Sequence, residues 1–171
     1  MQTYSNIDWA VWQPVEKATL LFVIKNDQVL LIHKKRGLGA GKVNGPGGRL
    51  DPGEDSRQCA IREVEEEVGV TPFAPRWCGE LKFQFTDGHA IHGLVYRAGD
   101  CHGTPQETDE AIPFWCPLDQ IPYGQMWMDD RIWFPLLLAD RFFSSRYLFA
   151  DDVMLGCELF PQEAPPASPP F

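Results

Sequence analysis

The stretch Arg62-Glu63-Val64-Glu65-Glu66-Glu67 sets four carboxylates in five consecutive positions. On a helix, at 100° per residue, Glu63, Glu66 and Glu67 share one face, while Glu65 falls nearer the apolar edge. Carboxylates ~6 Å apart repel by roughly 3 kcal/mol per pair at an effective dielectric near 20. Ordinary helix surfaces interleave lysine to relieve that cost. None stands here, and Arg62, one turn before Glu66, can pin one carboxylate but not neutralise three. A divalent cation would offset the repulsion, because Mg²⁺ or Mn²⁺ takes hard oxygen ligands and can then bridge to an anionic ligand.

The helix that must carry these groups is predicted over Asp55 to Val68. Ala60, Ile61, Val64 and Val68 form its apolar stripe, roughly opposite the acidic face, and Gly69 is its stop. Ahead of it, between Gly37 and Gly53, lie seven glycines and two prolines. No regular element survives that density, so the segment reads as a loop whose backbone approaches something closely.

Taken together, Gly48, Glu54, Arg62, Glu63, Val64, Glu66, Glu67, Gly69 and Val70 match all nine specified positions of the 23-residue Nudix box, G-x5-E-x7-R-E-U-x-E-E-x-G-U. The chain thus resembles the Nudix hydrolases. The resemblance implies an α/β/α sandwich of the α+β class, a mixed β-sheet flanked by helices, and Mg²⁺-dependent hydrolysis of nucleoside diphosphates linked to another moiety, with Mn²⁺ as a substitute. It further implies Glu63, Glu66 and Glu67 as metal ligands assisted by the Gly47 carbonyl, Arg62 among the catalytic residues, and Glu54 as a cap for the helix. Metal ions make physical sense there, since they neutralise a pyrophosphate that otherwise repels the attacking water.

The similarity runs from about Thr19 to Phe149 and narrows to the MutT-homologue branch, which acts on oxidised purine nucleoside triphosphates. It is carried by Lys34 to Gly48, by Gly103-Thr104-Pro105 to Glu110, by Gln120 to Asp130, and by Trp133-Phe134-Pro135-Leu136-Leu137-Leu138. It implies that Trp127 stacks on the purine and that Asp129 and Asp130 read its edge, with Asn44 completing the readout. Two adjacent acids tend to share a proton, so that one donates a hydrogen bond and the other accepts. Taken alone, the pair reads equally as the N-cap and first-turn acid of a helix. Lys34 is implied at the phosphates or pocket wall, Thr19 and Phe83 as pocket lining, and Glu110 as a further metal ligand or base. Leu38 and Pro46 stand where this branch has phenylalanines, and Val43 where it has tryptophan, which alters the pocket's shape.

The remaining elements must position these groups. Ala18–Ile24 and Val29–His33 read as a hairpin; Leu81, Phe83 and Phe85 alternate with polar residues and turn at Asp87-Gly88 into Ala90–Tyr96. Ile112–Pro117 follows as a strand, then a helix from Asp129 or Asp130 to about Phe143 with Pro135 in its first turn, then a hairpin across Asp151-Asp152. Residues 1–16, with Trp9 and Trp12, form an extension that covers the pocket, pairs with another subunit or packs on the sheet. Residues 17–160 form the domain. Residues 161–171 hold five of the 15 prolines and are expected as a disordered tail.

With 171 residues, 44% of them apolar, and a net charge of −9, the chain reads as one globular domain. The acidity opposes stable binding to nucleic acid or anionic membranes. Five cysteines without C-x-x-C spacing read as free thiols in a reducing cytoplasm, and Met1 to Lys17 lacks the pattern of a signal peptide. The apolar runs fall short of the ~18 residues a membrane span needs. The expected partner is a small nucleotide, and the expected state a monomer or small homo-oligomer. Other enzymatic readings are a dGTP or general NTP pyrophosphatase and removal of pyrophosphate from 5′-triphosphate RNA. A non-catalytic nucleotide sensor is a third class, against which the complete box argues.

Overall fold

The computed structural model describes residues 1–171. The strands and helices are β1 (Glu16–Lys25), β2 (Gln28–Lys34), β3 (Val43–Asn44), β4 (Gly47–Arg49), α1 (Ser56–Val68), β5 (Thr71–Pro72), β6 (Arg76–Phe85), β7 (Ala90–Ala98), β8 (Cys101–His102), β9 (Ala111–Pro117), α2 (Asp130–Leu138), β10 (Phe143–Ala150) and β11 (Val153–Pro161). A nine-stranded sheet runs in the order β11-β10-β6-β7-β1-β2-β3, with β4 also pairing β1 and β9 pairing β2. Pairing is parallel for β1 with β7 and for β10 with β6, and antiparallel elsewhere in that sheet. This is the mixed, helix-flanked sheet of the α+β reading.

β1 is buried on both faces, so its alternation feeds two separate cores. Phe22 and Ile24 pack with Trp133, Phe134 and Leu137 of α2 and with Phe143, Tyr147 and Phe149 of β10. Leu21 and Val23 pack instead with Ala60, Val64 and Val68 of α1. Each helix therefore sits over its own side of the sheet. No helix is long and apolar enough to cross a membrane.

The helix ends differ from the sequence reading in detail. Asp55, not Glu54, caps α1: its side chain accepts from the Gln58 amide at 2.8 Å, and the Gln58 side chain accepts from the Asp55 amide. Gly69 closes the helix at φ +74, a conformation glycine adopts freely. α2 ends at Leu138 rather than near Phe143. Pro135 lies in its second turn, where its ring removes one backbone bond, and Asp140 follows in the left-handed region at φ +57.

The N-terminal extension packs on the sheet, the third of its three expected placements. Alternation along β6 sends Leu81, Phe83 and Phe85 to one face and Glu80, Lys82 and Gln84 to the other. Trp12 donates its Nε1–H to Gln84 at 2.8 Å, and Tyr4 donates to Glu158 at 2.8 Å. Lys82 and Arg146 lie over the Trp12 and Trp9 rings at 5.8 and 5.7 Å. The proline-rich segment forms no helix or strand beyond Pro161, yet it is not free as expected. The Phe171 carbonyl accepts from Ser56, and its ring sits 5.0 Å from His92.

Candidate active site

β1, β4, β6 and β7 form the floor of a cavity of about 570 Å³, closed by α1, the Gly37–Asn44 loop and the segment leading into α2. Thr19, Lys34, Asn44, Gly47, Glu63, Phe83, Glu67, Glu110, Trp127, Asp129 and Asp130 all line it. Of the residues expected at the site, only Arg62 and Glu66 do not.

The acidic cluster differs in membership from the face drawn on an ideal helix. One carboxylate oxygen from each of Glu63, Glu67 and Glu110 lies within 4.8 Å of the others. Glu66 is not in that group: its carboxylate is 56% exposed and takes Arg62 at 3.1 Å. Glu67 was expected on the polar face, yet it is buried, because the strands and loop beneath α1 close over it. Its Oε2 is buried with no hydrogen-bond partner. Burial first, and then the Glu63 charge, push its pKa to about 8, against the pull of Lys34. Burial also raises Glu63, with Arg62 opposing. An orphaned buried carboxylate oxygen among three converging acids is the donor set a hard divalent cation completes, so the residues fit such an ion.

Arg62 organises this cluster from outside the cavity. It grips Glu54 through two hydrogen bonds of 2.6 and 2.8 Å, donates to Glu63 at 2.9 Å, and reaches the Arg49 carbonyl at 3.0 Å. The guanidinium holds the Glu54 carboxyl down at about 2. Glu54 is thus the anchor for Arg62 and for the Asp51 amide, which is why it does not cap the helix. Gly48 completes the packing: a Cβ there would overlap the Glu63 carboxyl. Gly48→Ala is expected to displace Glu63, destabilise the fold by about 1–3 kcal/mol and lower kcat by at least about tenfold. Thermal melting and steady-state kinetics on the same preparation check both effects.

The rest of the cavity is aromatic and acidic. Trp127 is half-buried, held edge-on by Phe85 and Phe149 at 6.3 and 5.6 Å. Gly39, at φ +82, lets the loop pass so close that an added Cβ would come 2.7 Å from the Trp127 Nε1. Phe83 stacks on Tyr147 at 5.1 Å. Asp129 does not cap α2; its Oδ2 accepts from the Trp133 Nε1–H at 2.7 Å. Burial raises Asp129 to about 6, the Trp133 bond opposing. Burial and the Asp129 charge also raise Asp130, well above the usual carboxylate range. Two adjacent buried acids that both resist ionisation tend to share one proton, so that one can donate while the other accepts.

Several lining residues were missed in the sequence, among them Glu16, Arg36, Phe85, His89 and Ile91. Arg36 had a signal, the basic run Lys34-Lys35-Arg36 entering the glycine-rich loop. Ile91 and Phe85 had theirs in strand alternation. Glu16 and His89, 3.6 Å apart, had none, since only the β1–β7 pairing brings them together.

A helix bearing a carboxylate cluster over a mixed sheet, with its arginine anchored on the preceding loop, defines a class that comparison bears out. The NUDIX domain model matches residues 14–137, and the chain belongs to the Nudix hydrolase family. It is 43% identical over 134 residues to the "Oxidized purine nucleoside triphosphate hydrolase" of Danio rerio, covering 77% of this chain and 85% of that protein. The Mus musculus protein of the same name is 40% identical over 143 residues, covering 82% and 92%. A MutT protein from Bacillus halodurans shares the fold with a TM-score of 0.77 at 26% identity, over 85% of this chain and 97% of that one.

Proposed function

We propose that this chain hydrolyses oxidised or otherwise modified purine (deoxy)nucleoside triphosphates to the monophosphate and pyrophosphate, and so clears damaged nucleotides from the pool. One observation carries the reading: a single cavity of about 570 Å³ is lined by the Glu63, Glu67 and Glu110 cluster and also by Trp127, Asp129 and Asp130. The names of the zebrafish and mouse relatives support it. Glu63, Glu67 and Glu110, with the Gly47 carbonyl, would hold a divalent cation, Mg²⁺ or Mn²⁺. When bound, it neutralises phosphate oxygens and lowers the pKa of a water. Glu66, outside the cluster, serves through its pairing with Arg62.

The chain's own residues do the rest. Trp127 stacks on the purine, a contact worth about 1–3 kcal/mol. Asp129 and Asp130 share a proton, so that one donates to the base edge and the other accepts, while Asn44 offers one of each. Phe83 and Thr19 line the base and sugar, and Lys34 faces the phosphates. The reading includes a cytoplasmic location, to which five free cysteines belong, and a protein acting as a monomer or small homo-oligomer without stable nucleic-acid binding.

The test is matched turnover of 8-oxo-dGTP, 2-hydroxy-dATP, dGTP and a 5′-triphosphate RNA with Mg²⁺, following pyrophosphate and orthophosphate separately. Pyrophosphate release with kcat/KM at least about tenfold above dGTP for either oxidised nucleotide is the expected result. Leu38 is half exposed, and Val43 is buried in the core away from the cavity wall. Of Leu38, Val43 and Pro46, only Leu38 lines the cavity. Equal hydrolysis of dGTP would make the enzyme a general NTP pyrophosphatase.

A further inference from the structure

We propose that Arg36 is a polyphosphate-binding residue that exchanges partners: its guanidinium leaves Glu110 for the substrate's phosphates as Glu110 turns to the divalent cation. The inference rests on the assignment of this cavity to a nucleoside polyphosphate.

Arg36 lines the cavity, and its Nη2–H donates to Glu110 Oε1 at 3.2 Å. Glu110 is itself one of the three clustered carboxylates. The guanidinium therefore stands one carboxylate away from where an anionic chain must meet the cluster. Four cations surround that place, and they are not equivalent. Arg62 is committed to Glu54, Glu63, Glu66 and the Arg49 carbonyl. Arg49 holds Glu16 at 3.1 Å. Lys34 has no carboxylate partner but offers a point charge, without a fork. Arg36 combines a planar fork suited to phosphate with a single weak tie.

That tie is easy to break. The side chains of Arg36 and Glu110 are 65% and 44% exposed, and exposed ion pairs contribute little. The backbone beside them is fixed: the Lys35 amide donates to the Glu110 carbonyl at 2.9 Å, and the Lys35 ammonium is bound to Glu107 and the Thr108 carbonyl. Exchange thus needs only side-chain rotation, with no loop movement. In the absence of nucleotide, the same contact makes Arg36 a competitor of the metal for Glu110.

Two opposite effects of Arg36→Ala follow. With an oxidised purine triphosphate, KM is expected to rise by about tenfold with kcat within about threefold of wild type, the loss of one charged hydrogen-bond donor. Without nucleotide, calorimetric titration is expected to show Mn²⁺ binding about two- to fivefold tighter, since a competing cation is gone. Arg36→Lys, which keeps the charge without the fork, should recover part of the KM. A wild-type KM in Arg36→Ala overturns the proposal. So does weakened Mn²⁺ binding, which would make Arg36 a support that holds Glu110 in place. Because the Mn²⁺ titration needs no substrate, the readings separate: wild-type protein that binds Mn²⁺ but turns over no nucleotide overturns the assigned reaction, and the phosphate half of this proposal with it.

Discussion

Glu67→Gln is expected to lower kcat by roughly a thousandfold or more while making the metal-free protein more stable. The two effects share one cause. Glu67 is buried, its Oε2 has no partner, and its pKa is raised from 4.5 to about 8 by burial and by Glu63. A carboxyl raised on folding costs nothing below pH 4.5, where both states are protonated. As pH climbs from 4.5 to 8 the unfolded chain ionises and the folded one does not, so stability drains away, and above 8 the loss is complete. Glutamine does not ionise, so its advantage in melting temperature with EDTA present should be small at pH 4.5, grow to pH 8 and then level. At full development it is on the order of a few kcal/mol. Melting curves that differ equally at every pH would refute the burial account. A kcat within tenfold of wild type would remove Glu67 from the metal ligands.

The second large effect is on recognition. Asp130→Ala is expected to reduce kcat/KM for an oxidised purine triphosphate by about a hundredfold, mainly through KM, because it leaves a polar base edge without its partner beside side chains buried from solvent. The pair also sets a pH dependence. Asp129, raised to about 6 by burial, accepts more strongly when ionised, so its contribution is greatest above pH 6 and weakens as pH falls through that value. KM should therefore rise as pH falls below 6 in the wild type. Asp129→Asn, which cannot ionise, should flatten that limb. Binding measured by equilibrium titration across pH 5 to 8, in place of turnover, separates this limb from the titration of the hydrolytic cluster. A slope unchanged in Asp129→Asn would assign it elsewhere.

What was legible in the chain depended on how local the cause was. α1 could be drawn between Asp55 and Gly69, because its stripe and its stop are written within one segment. The hairpin of β6 and β7 likewise follows from alternation around Asp87-Gly88. The cap was misread because Asp55 and Glu54 are adjacent acids. Only the position of Arg62, eight residues on, decides that Glu54 is spent on an ion pair. Glu66 and Glu67 differ by one residue, and helical angles alone put both beside Glu63. Which of them is covered depends on the sheet and loop beneath, which no local pattern records. The Asp129–Trp133 bond escaped for a similar reason: an i, i+4 side-chain contact competed with the expected cap and won, since a buried indole N–H needs an acceptor. Trp9 and Trp12 have no periodicity to read, and their place on the sheet depends on Gln84, Lys82 and Arg146, far along the chain.

The two cores on opposite faces of the sheet divide the enzyme's heredity as well as its packing. Glu63 and Glu67 ride on α1, seated on one core, whereas Asp129, Asp130 and Trp133 belong to the segment seated on the other. Substitutions in separate, non-touching cores combine nearly additively. A lineage can therefore drift at Leu38, Asn44 or Trp127 without disturbing how α1 presents the Glu63 and Glu67 carboxylates. Close relatives built on this plan should vary most in their taste for bases and least in the bond they break.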